Sequence, residues 1–182
     1  MRRDESLQIM KEHLKKDYMV KHSLAVAAIM KKTAEEIGDD ANMFETIGLL
    51  HDIDFEKISS AEEHTLITET LLKGIIADEM IHSIKTHNFE HTKLEPKQPI
   101  EHALIAADAV SGLVVACALV MPSKKLSDVK VDTVKSKFKS KEFARNCDRG
   151  KIQYCEKVGI ALDKFLEIAL GALQGIAGEL GL

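Results

Sequence analysis

The stretch from Pro99 to Val120 constrains this chain more than any other. From Ala103 to Met121 it is apolar throughout except at Asp108 and Ser111, and Pro99 and Pro122 bracket it. A helix of that length, apolar on nearly every side, belongs in the middle of a core. A bare carboxylate inside such a helix is costly to bury unless it is paired or bound to a cation. Asp108 therefore needs a partner, and the rest of the chain has to supply it.

The remaining pattern is also helical. Leu7, Met10 and Leu14 predict a short first helix that ends near Lys15 and Lys16. Val20, Leu24, Ala27, Ala28 and Ile37 recur at helical spacing and predict a second, from Met19 to Ile37, with Gly38 as its stop. Asp39 and Asp40 can cap a third, which carries Phe44, Ile47, Gly48 and Leu50 and ends around Asp52 to Asp54. Ser59 or Ser60 can cap a fourth, from Ala61 to Lys73, and a fifth runs from Asp78 to His87. A final helix is expected from Val158 to Leu180, with Gly171, Gly175, Gly178 and Gly181 along roughly one face. Glycine lowers helix stability, so those positions predict close packing on another helix, within the chain or in a dimer. No strand alternation and no repeat is present. The expectation is an all-α fold: residues 1–121 form one helical domain, and 122–182 form a helical extension packed on it.

Composition excludes several classes. With 182 residues, 45% hydrophobic and 30% charged, the chain is long enough for one well-buried domain and is not a disordered one. No run reaches 18 uninterrupted apolar residues, so no membrane span is expected. The opening Met1-Arg2-Arg3-Asp4-Glu5 has no apolar core behind it, which argues against a signal peptide and for a cytoplasmic protein. Cys117, Cys147 and Cys155 form no CxxC pair and read as free thiols. The net charge of −4 argues against a general nucleic-acid binder. Residues 123–151 nonetheless hold ten Lys or Arg against four acids, a local charge of +6.

Histidine is distributed unevenly. All 8 lie in the first 102 residues: His13, His22, His51, His64, His82, His87, His91 and His102. His22 opens an amphipathic helix, and the doublet His51-Asp52 ends an apolar one. His64 and His87 fall in the fourth and fifth helices, and His91 lies one turn after His87. His13, His82 and His102 read as surface residues. Neutral imidazoles and carboxylates converging from several helices are what a bundle uses to hold a transition metal in its core.

His22, His51-Asp52 and Asp108, in that order, resemble the H…HD…D signature of the HD-domain superfamily of metal-dependent phosphohydrolases. The local text is similar as well: Leu49-Leu50-His51-Asp52-Ile53 matches the family's apolar run into "HDI", and His22-Ser23-Leu24-Ala25-Val26 its first helix. The resemblance covers roughly residues 18–120. It implies that His22, His51, Asp52 and Asp108 ligate one metal. Members with two metals add two histidines in the interval that His64 and His87 occupy, so one or two ions of Fe, Mn, Ni, Co or Zn are implied, with Asp52 bridging. Superfamily phosphodiesterases of cyclic dinucleotides often read HDIGK; here Asp54 and Phe55 replace the last two, which argues against that branch and leaves Asp54 and Glu56 as candidate acid/base groups.

The reaction the resemblance implies is hydrolysis of a phosphate ester of a small molecule, a nucleotide among the candidates, by metal-activated water. A phosphate needs cations beyond the metal. Lys124 and Lys125, which follow the Asp108 helix, and Arg149, in a predicted turn, are the candidates. Two other readings stay open: a di-iron oxygenase of the same superfamily, and a non-catalytic helical module that keeps the site as a ligand pocket. No membrane or nucleic-acid partner is expected, and the chain is read as monomer or homodimer.

Overall fold

The structure is a computed structural model that describes all 182 residues. Eleven α-helices run in the order α1 Arg3–His13, α2 Asp17–Ile37, α3 Ala41–Leu50, α4 Leu66–Leu72, α5 Asp78–Thr86, α6 Phe89–Thr92, α7 Pro99–Leu119, α8 Val131–Lys139, α9 Arg149–Ile152, α10 Leu162–Gly175 and α11 Ala177–Leu180. Short 3₁₀ turns cover Leu126–Asp128 and Gln153–Val158. There is no strand, only an isolated bridge between Lys73 and Ile76. The fold class is all-α.

The centre is α7. Pro99 sits in its first turn, where a missing N–H costs nothing, and Glu101 caps the start by accepting from the Lys97 and Gln98 amides at 2.6 and 2.9 Å. Fourteen of its 21 residues are buried, including Leu104, Val110, Leu113 and Val114. Each such side chain contributes roughly 1.5–3 kcal/mol on leaving water. By length and composition α7 is apolar enough to cross a membrane; here 67% of its most apolar window is inside the protein. Asp108 is one of the few positions along it that stay partly open.

Helices α2 and α3 pack unusually closely because Gly48 lets them. A Cβ on Gly48 would lie 2.6 Å from the Ala27 Cα, so no larger residue fits without moving a backbone. Gly38, in the left-handed region at φ 75°, ends α2, and the Asp40 carboxylate then caps α3 by accepting from Asn42 and Met43 at 2.9 and 3.1 Å. Glu45 of α3 is buried between Arg3 of α1 and Lys31 of α2, each at 3.0 Å. Arg3 reaches on to Glu179 of α11 at 3.0 Å, so one network ties both ends of the chain together.

Three expectations change. The fourth helix does not start at Ala61: residues 61–65 are turns, and Thr65, at φ 72°, precedes α4. The Ala61 and His64 carbonyls accept instead from the Asn88 side-chain amide at 3.0 and 2.9 Å. The final helix is broken, by Gly159 at φ 83° and again at Ile176, which turns Leu180 into the core. The glycine stripe on it does not pack closely, because a Cβ at Gly171, Gly175 or Gly178 would meet nothing within 4 Å.

Residues beyond 121 share the core with those before it: Leu126, Val134, Ile152, Phe165 and Leu173 are fully buried in the same cluster as Ile29, Leu50 and Leu113. Cys117, Cys147 and Cys155 are free thiols.

Candidate metal centre

Four helix ends or faces and one turn bring six side chains together. His22 comes from the first half of α2, His51 and Asp52 directly follow α3, His87 directly follows α5, and Asp108 faces them from the middle of α7. His64 comes from the turn before α4. The Asp52 carboxylate lies at the centre. Its Oδ2 is 3.4 Å from His22 Nε2 and 3.3 Å from His51 Nε2; its Oδ1 is 3.1 Å from His64 Nε2 and 3.6 Å from His87 Nε2. Asp108 Oδ1 completes the first side, 3.2 Å from His22 Nε2.

The orientation of each ring is set by its other nitrogen. His51 Nδ1 faces the Gly48 carbonyl at 2.9 Å and His87 Nδ1 the Ile84 carbonyl at 2.5 Å. A carbonyl only accepts, so both Nδ1 atoms carry the proton. His64 Nδ1 faces Asp54 Oδ1 at 2.9 Å. His22 Nδ1 lies 3.3 Å from Ser111 Oγ, whose own proton goes to the Asp108 carbonyl at 2.8 Å. In the neutral rings all four Nε2 atoms therefore present lone pairs toward Asp52. Two pairs meet face to face, His64 and His87 at 2.9 Å and His22 and His51 at 3.3 Å.

Lone pairs that close repel unless a positive charge lies between them. Protons serve in the absence of a cation. Burial works against charging His22, but its hydrogen bonds to Asp108 and Asp52 push it up to about 10. His64, likewise opposed by burial, is pushed up to about 10 by Asp52 and Asp54. Burial, with the neighbouring His64 and His51 rings, drives His87 down against the pull of Asp52. Against their own burial, Asp52 and Asp108 are held below the usual carboxylate range by the surrounding imidazoles. A metal ion does the same work better. Two nitrogens bound to one ion at about 2.1 Å stand about 3.0–3.4 Å apart; the His22–His51 separation of 3.3 Å falls in that range and the His64–His87 separation of 2.9 Å lies just below it. His22, His51 and Asp108, and also His51, Asp52 and His87, offer donor atoms all within 4.8 Å of one another. The residues present fit a divalent metal ion held among these His and Asp side chains.

The other sequence candidates lie elsewhere. Asp54 is fully buried beneath the cluster, with Oδ1 on His64 Nδ1 and Oδ2 accepting the Thr65 amide at 2.6 Å. With both oxygens engaged, it orients the His64 ring. Glu56 is turned away and accepts the Lys15 and Lys16 amides at 2.9 and 2.8 Å. Lys124 and Lys125 follow the far end of α7, about 16 Å along the axis from Asp108. Arg149 spends its donors on the carbonyls of Lys137, Phe138, Ser140, Phe143, Ala144 and Cys147, stapling that segment and leaving nothing for a substrate. His91 is exposed on α6. His102 is buried near Tyr154, not on the surface. Sequence reasoning missed Ser111 and Asn88; each lies close in sequence to a ligand, three residues after Asp108 and one after His87, and that proximity was the available signal.

The chain is similar to Ribonuclease Y of Thermoanaerobacter pseudethanolicus (strain ATCC 33223 / 39E), 38% identical over 96 residues, covering 51% of this chain and 18% of that protein. It is similar to Ribonuclease Y of Desulfotalea psychrophila (strain LSv54 / DSM 12343) at 35% over 96 residues, covering 52% and 18%. This chain thus spans under a fifth of the length of those relatives. No solved structure matches it. The family model described as HD domain matches residues 19–112, from the turn before His22 to just beyond Ser111. With the H…HD…D residues gathered around one carboxylate inside that span, the chain belongs to the HD-domain superfamily of metal-dependent phosphohydrolases.

Proposed function

We propose that this protein hydrolyses a phosphate ester of a small molecule at a two-metal centre. The observation that carries it is the convergence of four Nε2 lone pairs on the two oxygens of Asp52. His22, His51, Asp52 and Asp108 would hold one ion, and His64, His87 and Asp52 the second. Divalent ions there would supply an acidified water and charge neutralisation at phosphorus. The protein's own residues do the rest. Asp52 fixes the spacing of the two halves. Gly48, Ile84, Asp54 and Ser111 hold the four rings with their lone pairs inward. The His22 and Asp108 side chains are 26% and 35% exposed, so substrate enters on their side.

Phe55 supports a nucleotide among the small substrates. It is 42% exposed and stands edge-on to the His64 ring at 6.1 Å, where a flat base can lie against it. Ribonuclease Y by its name cleaves RNA, and the shared region supports phosphodiesters as well as monoesters. A small substrate is favoured over a polymer because several lysines of the basic segment are engaged: Lys135 with Asp163 at 2.9 Å, Lys151 with Glu90 at 2.7 Å, and Lys137 over the Phe143 ring.

The test is a panel of nucleoside monophosphates, p-nitrophenyl phosphate and its bis ester, assayed for phosphate or nitrophenol release after loading with Mn²⁺ or Fe²⁺, beside an oxygen electrode. Product release that Asp52→Ala abolishes is expected, with Phe55→Ala raising KM for the nucleotides only. Dioxygen uptake without ester cleavage would make the protein an oxygenase. Metal uptake with neither reaction would make it a binding module.

A further inference from the structure

Two aromatic rings stand in water at the rim of the candidate metal centre, and the hydrolysis proposed above uses only one of them. Of the two tyrosines and six phenylalanines, only Tyr18 and Phe55 are strongly exposed, at 59% and 42%. Tyr18 is the most exposed of all the large apolar side chains. Single exposed apolar side chains are ordinary, but a pair at the edge of one site marks a contact surface.

The chain places both rings at the same edge. Tyr18 lies four residues before His22 on α2, so the two side chains are neighbours on one helix face, about 5–6 Å apart at their Cβ atoms. Phe55 stands edge-on to His64, with 6.1 Å between the ring centroids. His22 and His64 in turn lie against opposite oxygens of Asp52, at 3.4 and 3.1 Å. Glu56 joins the two sides. Its Oε1 accepts the Lys15 and Lys16 amides at 2.9 and 2.8 Å, which ties the turn after Asp54 to the start of α2. Phe55 immediately precedes Glu56, and Tyr18 follows Lys16 by two residues. The tie therefore sets one ring on either side of an entrance that His22, with its side chain 26% exposed, leaves partly open.

We infer that Tyr18 is the second wall of a base-binding slot whose first wall is Phe55. The substrate's base lodges between the rings while its phosphate lies at the metal centre. The inference deepens the hydrolysis proposed above and rests on that reading. Every nucleobase presents a π-face, so stacking on two rings holds a base without selecting its identity. The specificity expected is for the presence of a base rather than for which base.

The test is a fluorescence titration of the metal-loaded protein with the 2-aminopurine ribonucleotide, read within seconds of mixing, since its emission falls when the base stacks. Beside it, KM is measured for AMP and for ribose 5-phosphate, which has no base. Tyr18→Ala is expected to weaken the fluorescent nucleotide about 5- to 100-fold, the worth of stacking on one ring. It should raise KM for AMP to match and leave ribose 5-phosphate unchanged. Tyr18→Phe keeps the ring and should bind like the unaltered protein. Leu119→Ala, a similarly exposed apolar change at the far end of α7, should alter nothing. Saturable quenching that depends on Tyr18, with no ester cleaved, would keep the slot and remove the hydrolase. Cleavage of AMP and ribose 5-phosphate with equal changes of KM in Tyr18→Ala, or nucleotide binding that Tyr18→Ala does not weaken, would overturn the slot and leave the hydrolase standing.

Discussion

The two halves of the candidate metal centre are built differently. The His22, His51 and Asp108 half rests on α2, α3 and α7, with α2 and α7 each 21 residues long, and it is the open side. The His64 and His87 half rests on a turn and the end of a nine-residue helix, and these side chains are only 15% and 5% exposed. Long helices hold these side chains by packing, through close approaches such as Gly48 on Ala27. The turn holds His64 by polar contacts: Asp54 on the ring and the Thr65 amide, and Asn88 on the Ala61 and His64 carbonyls. One half should therefore be sensitive to changes of volume and the other to loss of hydrogen bonds.

The strongest test of the division is to remove what the halves share. Asp52→Ala should empty both, reducing bound metal to near zero and hydrolysis by about a thousandfold or more, read by elemental analysis and product release. A variant that keeps full activity would break the two-half description altogether. Next, His64→Ala should halve the metal content and leave the first half loaded, whereas Asp108→Ala should spare the second. Equal losses from both would show that the halves do not load independently.

Subtler changes separate packing from polar support. Asp54→Asn should weaken metal binding in the second half by about 10–100-fold, the usual cost of removing an orienting partner, without altering the first, as isothermal titration would show. Gly48→Ala should act on the other half. It forces α2 from α3, costs about 1–3 kcal/mol, and lowers the melting temperature. The smallest effect is expected at Glu56→Gln, which should leave kcat and metal content unchanged; a large fall in kcat would return Glu56 to the chemistry.

How much of this was legible follows the same division. Apolar periodicity, a stop at Gly38 and a cap at Asp40 are local signals, and the helices α2, α3 and α7 lie close to where those signals put them. The turn at 61–65 was not legible, because Asp54 and Asn88 reach it from 11 and from 24–27 residues away, and such partners outcompete the helix the local text favours. Arg149 was misread for the same reason. A guanidinium in a basic loop reads as free, yet six carbonyls folded around it consume its donors.

By itself, then, the sequence determined the helical class, the central apolar helix and which His and Asp residues a bundle of this kind can gather, since these depend on residue type and on spacing along one chain. Only the tertiary structure decided that the two oxygens of Asp52 face different histidine pairs, and that Asp54 supports a ring while Glu56 caps a backbone. Those outcomes depend on which atom of a side chain meets which distant partner, and such contacts exist only once burial has driven most polar groups to find one.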